Sequence, residues 1–277
     1  MRFRRRRIDH DSVAEMRVGT GWKRLSGVDQ VAALIGDAKS DDLLPFLTLD
    51  AACRDALQTL GPDLPDADTR DGVPKVPVVA KSFRDFMLFE DHAINAARGM
   101  VRRLMPGIFP ITRTYEAVLR KPFPRFKPHK LWYRQPIYYL SNHLNIVTDG
   151  DLMRWPGYTD LLDYELEIGV FLSKPLFNVT PAEAEAALGG FVVLNDFSAR
   201  DVQIDEMMSG FGPQKAKHFC TAISSEIVTA DEILETLDSL AGSVAINGKV
   251  VATVAASTWQ CTLAEAIAAA SKGEQLH

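Results

Sequence analysis

Three times in its second half the chain sets a threonine three residues ahead of a glutamate: Thr180/Glu183, Thr229/Glu232 and Thr262/Glu265. Such a pair lets two side chains satisfy backbone donors that the start of a helix leaves without partners. Each pair therefore predicts a helix start, the first strengthened by Pro181 at its first turn. Gly189 and Gly273 suit the stops of the first and third helices. Residues 137–140, 166–172 and 191–194 read as strands between and before them. Asn247-Gly248, flanked by Ala245-Ile246 and Lys249-Val250-Val251, predicts a hairpin, because a type I′ turn needs positive φ at both central residues. Strands and helices thus alternate without a repeat.

The first 77 residues differ. Strand-like runs at 16–18 and 22–25 precede helices predicted at 28–35, stopping at Gly36, and at 50–60, stopping at Gly61-Pro62. Residues 62–77 carry four prolines and four aspartates and read as a linker. The division expected is a small N-terminal domain over 1–77 and a main domain over 78–277. Arg2 and Arg4 to Arg7 read as a charged first strand with a solvated face, or else as a basic arm or transit peptide.

Composition bounds the partners. With 47% hydrophobic and 24% charged residues the chain is a globular type, not a disordered one. A net charge of −5 disfavours nucleic acid as the main partner. No run approaches the ~18 apolar residues of a membrane span. Cys53, Cys220 and Cys261 form no CxxC pair, so neither zinc nor a disulfide framework is expected, and a reducing cytoplasm is the expected compartment. No GxGxxG or GxxxxGK[ST] loop suggests nucleotide binding.

Four segments carry candidate chemistry. In Asp163-Tyr164-Glu165-Leu166-Glu167, a strand would point Glu165 and Glu167 to one face. Adjacent carboxylates repel unless a cation sits between them, and hard divalent cations prefer oxygen ligands; a polar solvated face is the alternative. The apolar strand at 191–194 runs into Asn195-Asp196, a plausible third carboxylate or a simple turn, followed by Arg200, which could pair with Asp201 or with a ligand carboxylate. The stretch from Lys81 to Asn95 reads as a helix with Asp85 and His92 two turns apart on one side. After Gly210-Phe211-Gly212-Pro213, Lys215 and Lys217 would share a face if extended, and one could stabilise an anion.

In this order, Arg84-Asp85-Phe86 with His92, Tyr164-Glu165-Leu166-Glu167, Asn195-Asp196-Phe197-Ser198-Ala199-Arg200-Asp201-Val202-Gln203, and Lys217 with Phe219 and Thr221 closely resemble the fumarylacetoacetate hydrolase family. The resemblance runs from about Val78 to the C-terminus. It implies an α+β fold, a mixed β-roll with flanking helices, behind a small β-containing N-terminal domain. It implies a divalent metal, Mg²⁺ ahead of Mn²⁺ or Ca²⁺, held by Glu165, Glu167 and Asp196, with Asp85 a further ligand. It assigns His92 as the base that activates water and Lys217 as the partner of a developing enolate. It sets Arg200 and Gln203 near the substrate or in its supporting shell. A homodimer and a small dicarbonyl or 2-oxo acid substrate are implied too.

The activity implied is hydrolytic cleavage of a C–C bond in acylpyruvate-like 1,3-dicarbonyl acids, as in aromatic-compound or amino-acid catabolism. The alternatives are a 2-oxo acid decarboxylase, isomerase or dehydratase of the same fold, and an inactive truncated fragment. Met87 and Met207 stand where hydrolases near the family's namesake carry tyrosines, so a substrate other than fumarylacetoacetate is expected. Arg98 or Arg102 could supply an alternative carboxylate clamp. The resemblance also implies further strands beyond Gly273-Glu274-Gln275-Leu276-His277.

Overall fold

The protein is described by a computed structural model covering residues 1–36, 42–256 and 259–277. It mixes helix and sheet around one nine-stranded sheet. The main path runs Gly21–Arg24, Asp11–Val18, Arg2–Ile8, Glu226–Thr229, Leu188–Asp196, Thr221–Ile223, Ile146–Val147. Val73–Lys75 adds to Arg2–Ile8, and Leu166–Leu172 adds to Leu188–Asp196. The pairings are antiparallel except that of Thr221–Ile223 with Ile146–Val147. Leu188–Asp196 is the centre: Leu166–Leu172 lies along one side, and two shorter strands share the other.

The N-terminal strands therefore extend the sheet that carries residues 188–229. Phe3, Met16, Leu25, Phe46 and Leu57 pack in one buried cluster with Val192, Leu194, Ile223 and Ile227. Within 62–77, the proline-rich composition still accommodates Val73–Lys75 as a strand. The arginine run forms the strand expected, with Phe3 and Ile8 buried. Its face is not simply solvated. Arg4 and Arg6, two residues apart on one side, both bind Glu15, which is fully buried. An unpaired carboxylate there would be strongly unfavourable, and the two guanidiniums compensate it.

The threonine signals resolve differently. Thr180 and Thr262 each cap a helix, Pro181–Glu185 and Leu263–Ala270, with the reciprocal glutamate contact in place. Both helices pack in a second buried cluster with Leu176, Leu188 and Phe191. Thr229 precedes the helix Ala230–Ile233 without a side-chain cap. The N-terminal amino group donates to its hydroxyl at 2.5 Å, and Arg2 Nε donates to Glu232 at 2.8 Å. Long-range cations have taken both members of that box. Gly189 lies in the Leu188–Asp196 strand rather than at a helix stop. The hairpin Ala241–Ile246/Lys249–Ala255 turns at Asn247 and Gly248, with φ of 51° and 77°.

The helix expected over 81–95 is replaced by two elements. Arg84–Phe86 is a strand paired with Tyr138–Leu140, and the helix Glu90–Leu104 starts only afterwards. Pairing places Asp85 opposite Tyr139, which a helical Asp85 could not achieve. Glu90 and Asp91 then occupy the first helical turn, where the helix dipole favours negative charge. Among the described residues no helix is long and apolar enough to cross a membrane.

Candidate active site

The sheet register assembles the acidic side chains. Glu167 lies opposite Leu194, and Leu166 opposite Asn195. The Asp196 amide donates to the Glu165 carbonyl at 3.0 Å, and the Glu165 amide to Asn195 Oδ1 at 3.2 Å. Glu167, paired with Leu194, therefore faces the side of Asp196 two residues on, and Glu165, just ahead of the strand, meets Asp196 through Lys217. The short strand Arg84–Phe86 brings Asp85 from elsewhere in the chain. Ligand oxygens of Asp85, Glu167 and Asp196 all lie within 4.8 Å of one another.

Glu165 lies beside this trio with different partners. Its carboxylate meets Lys217 Nζ at 2.6 Å and Arg200 at 2.7 Å, while His92 Nε2 lies 3.8 Å away. Lys217 Nζ also lies 2.5 Å from Asp196 Oδ2. It reaches this position from a turn in which Lys217 and His218 amides donate to the Gln214 carbonyl. Lys215 and Lys217 consequently do not share a face: Lys215 is exposed and Lys217 buried. Arg200 and Gln203 sit one turn apart on the helix Arg200–Met208. Arg200 donates to Gln203 Oε1 at 3.0 Å and to Asp163 at 2.8 Å as well as pairing with Glu165. Gln203 thus touches the cluster through Arg200. Arg98 is engaged by Glu116 and Asn95.

Electrostatics follow from burial and these pairings. Burial, then the Asp196 charge, pushes the Asp85 carboxyl up to about 7. Burial and the neighbouring carboxylates Asp85, Glu165 and Asp196 hold Glu167 well above its ordinary value. Burial raises Asp196 too, against the pull of Lys217. At Glu165 burial acts upward, but Lys217, Arg200 and His92 outweigh it and the carboxyl falls to about 2. Burial disfavours the Lys217 ammonium, yet Glu165 and Asp196 more than offset this, and it stays protonated.

Tyr139 was not among the residues singled out from sequence. Its hydroxyl lies 2.9 Å from Asp85 Oδ2 and 2.7 Å from Asp196 Oδ2. One phenolic proton cannot serve both carboxylates at once, so the second contact favours a proton on one of them. Burial and the two aspartates hold the phenol itself protonated. Nothing in Tyr138-Tyr139 told the two tyrosines apart; only the strand register does. Asp163, the partner of Arg200, was likewise missed as a site residue.

The trio fits a hard divalent cation. Its donors are all carboxylate oxygens, the preferred ligands of such ions. Asp196 Oδ1 is buried without a hydrogen-bond partner among the described residues, a costly arrangement that a cation would relieve. Raised carboxyls in close contact are the expected signature of an anion cluster lacking its counter-charge.

Residues 108–277 match the family model for the fumarylacetoacetate (FAA) hydrolase C-terminal region. The chain belongs to the fumarylacetoacetate hydrolase family. Glu165, Glu167, Asp196, Arg200, Gln203 and Lys217 lie within the matched region; Asp85 and His92 lie before it. Among similar curated proteins is fumarylacetoacetase of Caenorhabditis elegans, 29% identical over 184 residues, covering 59% of this chain and 38% of that protein. Human mitochondrial oxaloacetate tautomerase is 33% identical over 85 residues, covering 31% of this chain and 38% of that protein. The chain thus spans well under half the length of these relatives. Crystal structures share the family's fold: an HpcE-candidate protein of Mycobacterium smegmatis (TM-score 0.68, 20% identity) and a fumarylacetoacetate hydrolase of Exiguobacterium antarcticum (0.64, 16%). Each covers 100% of this chain, which in turn covers 83% of each structure. The family contains hydrolase- and isomerase-type enzymes, and the mixed helix-and-sheet fold expected from sequence is the one found.

Proposed function

We propose that the chain is a divalent-metal-dependent enzyme that hydrolyses a C–C bond in acylpyruvate-like 1,3-dicarbonyl acids. The observation that carries this reading is the convergence of Asp85, Glu167 and Asp196 within 4.8 Å, beside a half-exposed His92. Asp85, Glu167 and Asp196 would hold the cation, Mg²⁺ first, with Glu165 as a further ligand. When bound, the cation supplies Lewis-acid polarisation of the substrate's adjacent oxygens.

The chain's own residues supply the rest. His92 is 49% exposed, and its Nε2 faces Glu165 at 3.8 Å. It can take a proton from a water at the site's open side, and Glu165 stabilises the imidazolium that results. Departure of the leaving carbon leaves negative charge on the enolate oxygen. Lys217, kept cationic in a water-poor setting, is the group available to stabilise that charge. Arg200 fixes Glu165 with Asp163 and Gln203, so the carboxylate cannot swing away from His92.

Tautomerisation of a 2-oxo acid needs the same enolate without water attack. The stretch 33% identical to human oxaloacetate tautomerase favours that as the second reading. A panel of acylpyruvates assayed for pyruvate release, alongside oxaloacetate assayed for enol–keto exchange, tests both. Pyruvate release that requires added Mg²⁺ or Mn²⁺ and falls ~10²- to 10⁴-fold in His92→Ala supports hydrolysis. Exchange without pyruvate release would replace it by the second reading, and neither activity would overturn both.

A further inference from the structure

A cavity of about 420 Å³ opens at the start of the helix Glu90–Leu104, lined by Glu90, Asp91, Trp132, Tyr133, Trp259 and Gln260. None of the four clustered carboxylates lines it, and neither does Lys217. Its size is that of a small-molecule site. Its chemistry is one-sided: the two charged lining groups are carboxylates, and three of the remaining four are aromatic.

The lining donors are mostly committed to protein. Trp132 Nε1 donates to the Met87 carbonyl at 2.6 Å. The Gln260 amide donates to the Trp132 carbonyl, and the Tyr133 hydroxyl donates to Glu90. These bonds fix the walls. Asp91 is exposed and has no partner among the described residues. Trp259 packs at a 45° tilt against Phe89 with ring centroids 4.5 Å apart. An anion would meet two carboxylates and no cation. A bare metal ion would find too few oxygen ligands and too much space. A small organic ammonium suits both the negative charge and the aromatic lining.

We propose that this cavity binds a small organic ammonium compound. The cavity shares no lining residue with the carboxylate cluster, although Asp91 directly precedes His92, and ligand binding there is read without turnover, so the inference does not depend on the reaction assigned to the cluster.

Calorimetric titration of the full chain with choline tests it, with 3,3-dimethyl-1-butanol as the neutral isostere. Choline should bind saturably, the isostere at least ~10-fold more weakly. Asp91→Asn and Trp259→Leu should each weaken choline by about fivefold or more. Asp91 is a surface position, so its variant keeps the test valid even where loss of Trp259 disturbs folding. No saturable choline binding, equal binding of the isostere, or unchanged affinity in a folded Asp91→Asn chain would overturn the proposal.

Discussion

Lys217 holds its ammonium nitrogen 2.5 Å from Asp196 Oδ2, and both side chains are almost completely out of solvent. The same ammonium lies 2.6 Å from Glu165. With Arg200, which lies 2.7 Å from Glu165, it supplies positive charge to the acidic cluster. Replacing it should therefore be felt first in stability. Lys217→Met leaves two buried carboxylates without this partner, and the metal-free chain should lose ~3–5 kcal/mol in urea unfolding. Unchanged stability would show that the pair contributes little.

Tyr139→Phe isolates the hydroxyl between Asp85 and Asp196 with little change of shape. Its loss should cost ~1–3 kcal/mol in the metal-free chain, because one aspartate loses its donor and the proton on the other loses its acceptor. Added Mg²⁺ should recover part of that loss by supplying the missing positive charge. Thermal unfolding with and without Mg²⁺ reads both effects; a variant as stable as the parent in metal-free buffer would remove Tyr139 from the account.

Asp85 predicts a pH dependence. Its folded value of about 7 lies above the ordinary 3.8. Between those values the folded state holds the proton more tightly than the unfolded state, so stability falls as pH rises. This contribution is complete below about pH 4 and is lost as pH passes through 7. Glu167 acts in the same direction. Glu165, lowered to about 2, contributes stability that is lost only in acid. The melting temperature of the metal-free chain should thus decline from pH 5 to 7, and Asp85→Asn should flatten the decline. An equal slope in the variant would contradict this assignment.

Gly169 is required by close packing behind the site. A Cβ there would stand 2.7 Å from Val192 Cγ2 and 3.3 Å from Leu194 Cδ1, both on the strand that leads to Asp196. Gly169→Ala should cost ~1–3 kcal/mol and weaken metal binding together with stability. Differential scanning calorimetry beside a metal titration checks this; a neutral substitution would mean the two strands adjust freely.

Local and periodic features were the legible part of this chain. The Thr180 and Thr262 boxes marked real helix starts, and the strand expected over 166–172 holds Glu167, with Glu165 just ahead of it. What escaped depends on residues far apart in sequence. Thr229 and Glu232 lose their box to Met1 and Arg2, more than 220 positions away. Glu15 is buried only because Arg4 and Arg6 arrive from the neighbouring strand. Asp85 looked helical because the apolar residues after it blend with the true helix, whereas pairing with Tyr138–Leu140 draws it into a strand. Tyr139 then differs from Tyr138 only by the side of that strand on which it falls.

Occupancy of the carboxylate cluster by a divalent cation is open to direct measurement. Calorimetric titration of the folded chain with Mg²⁺ and Mn²⁺, beside a Glu167→Ala/Asp196→Ala variant checked for fold by circular dichroism, tests it most directly. Saturable binding by the parent chain, lost in the folded double variant, is the expected result. A folded parent that binds neither ion, or a variant that binds them equally well, would contradict it.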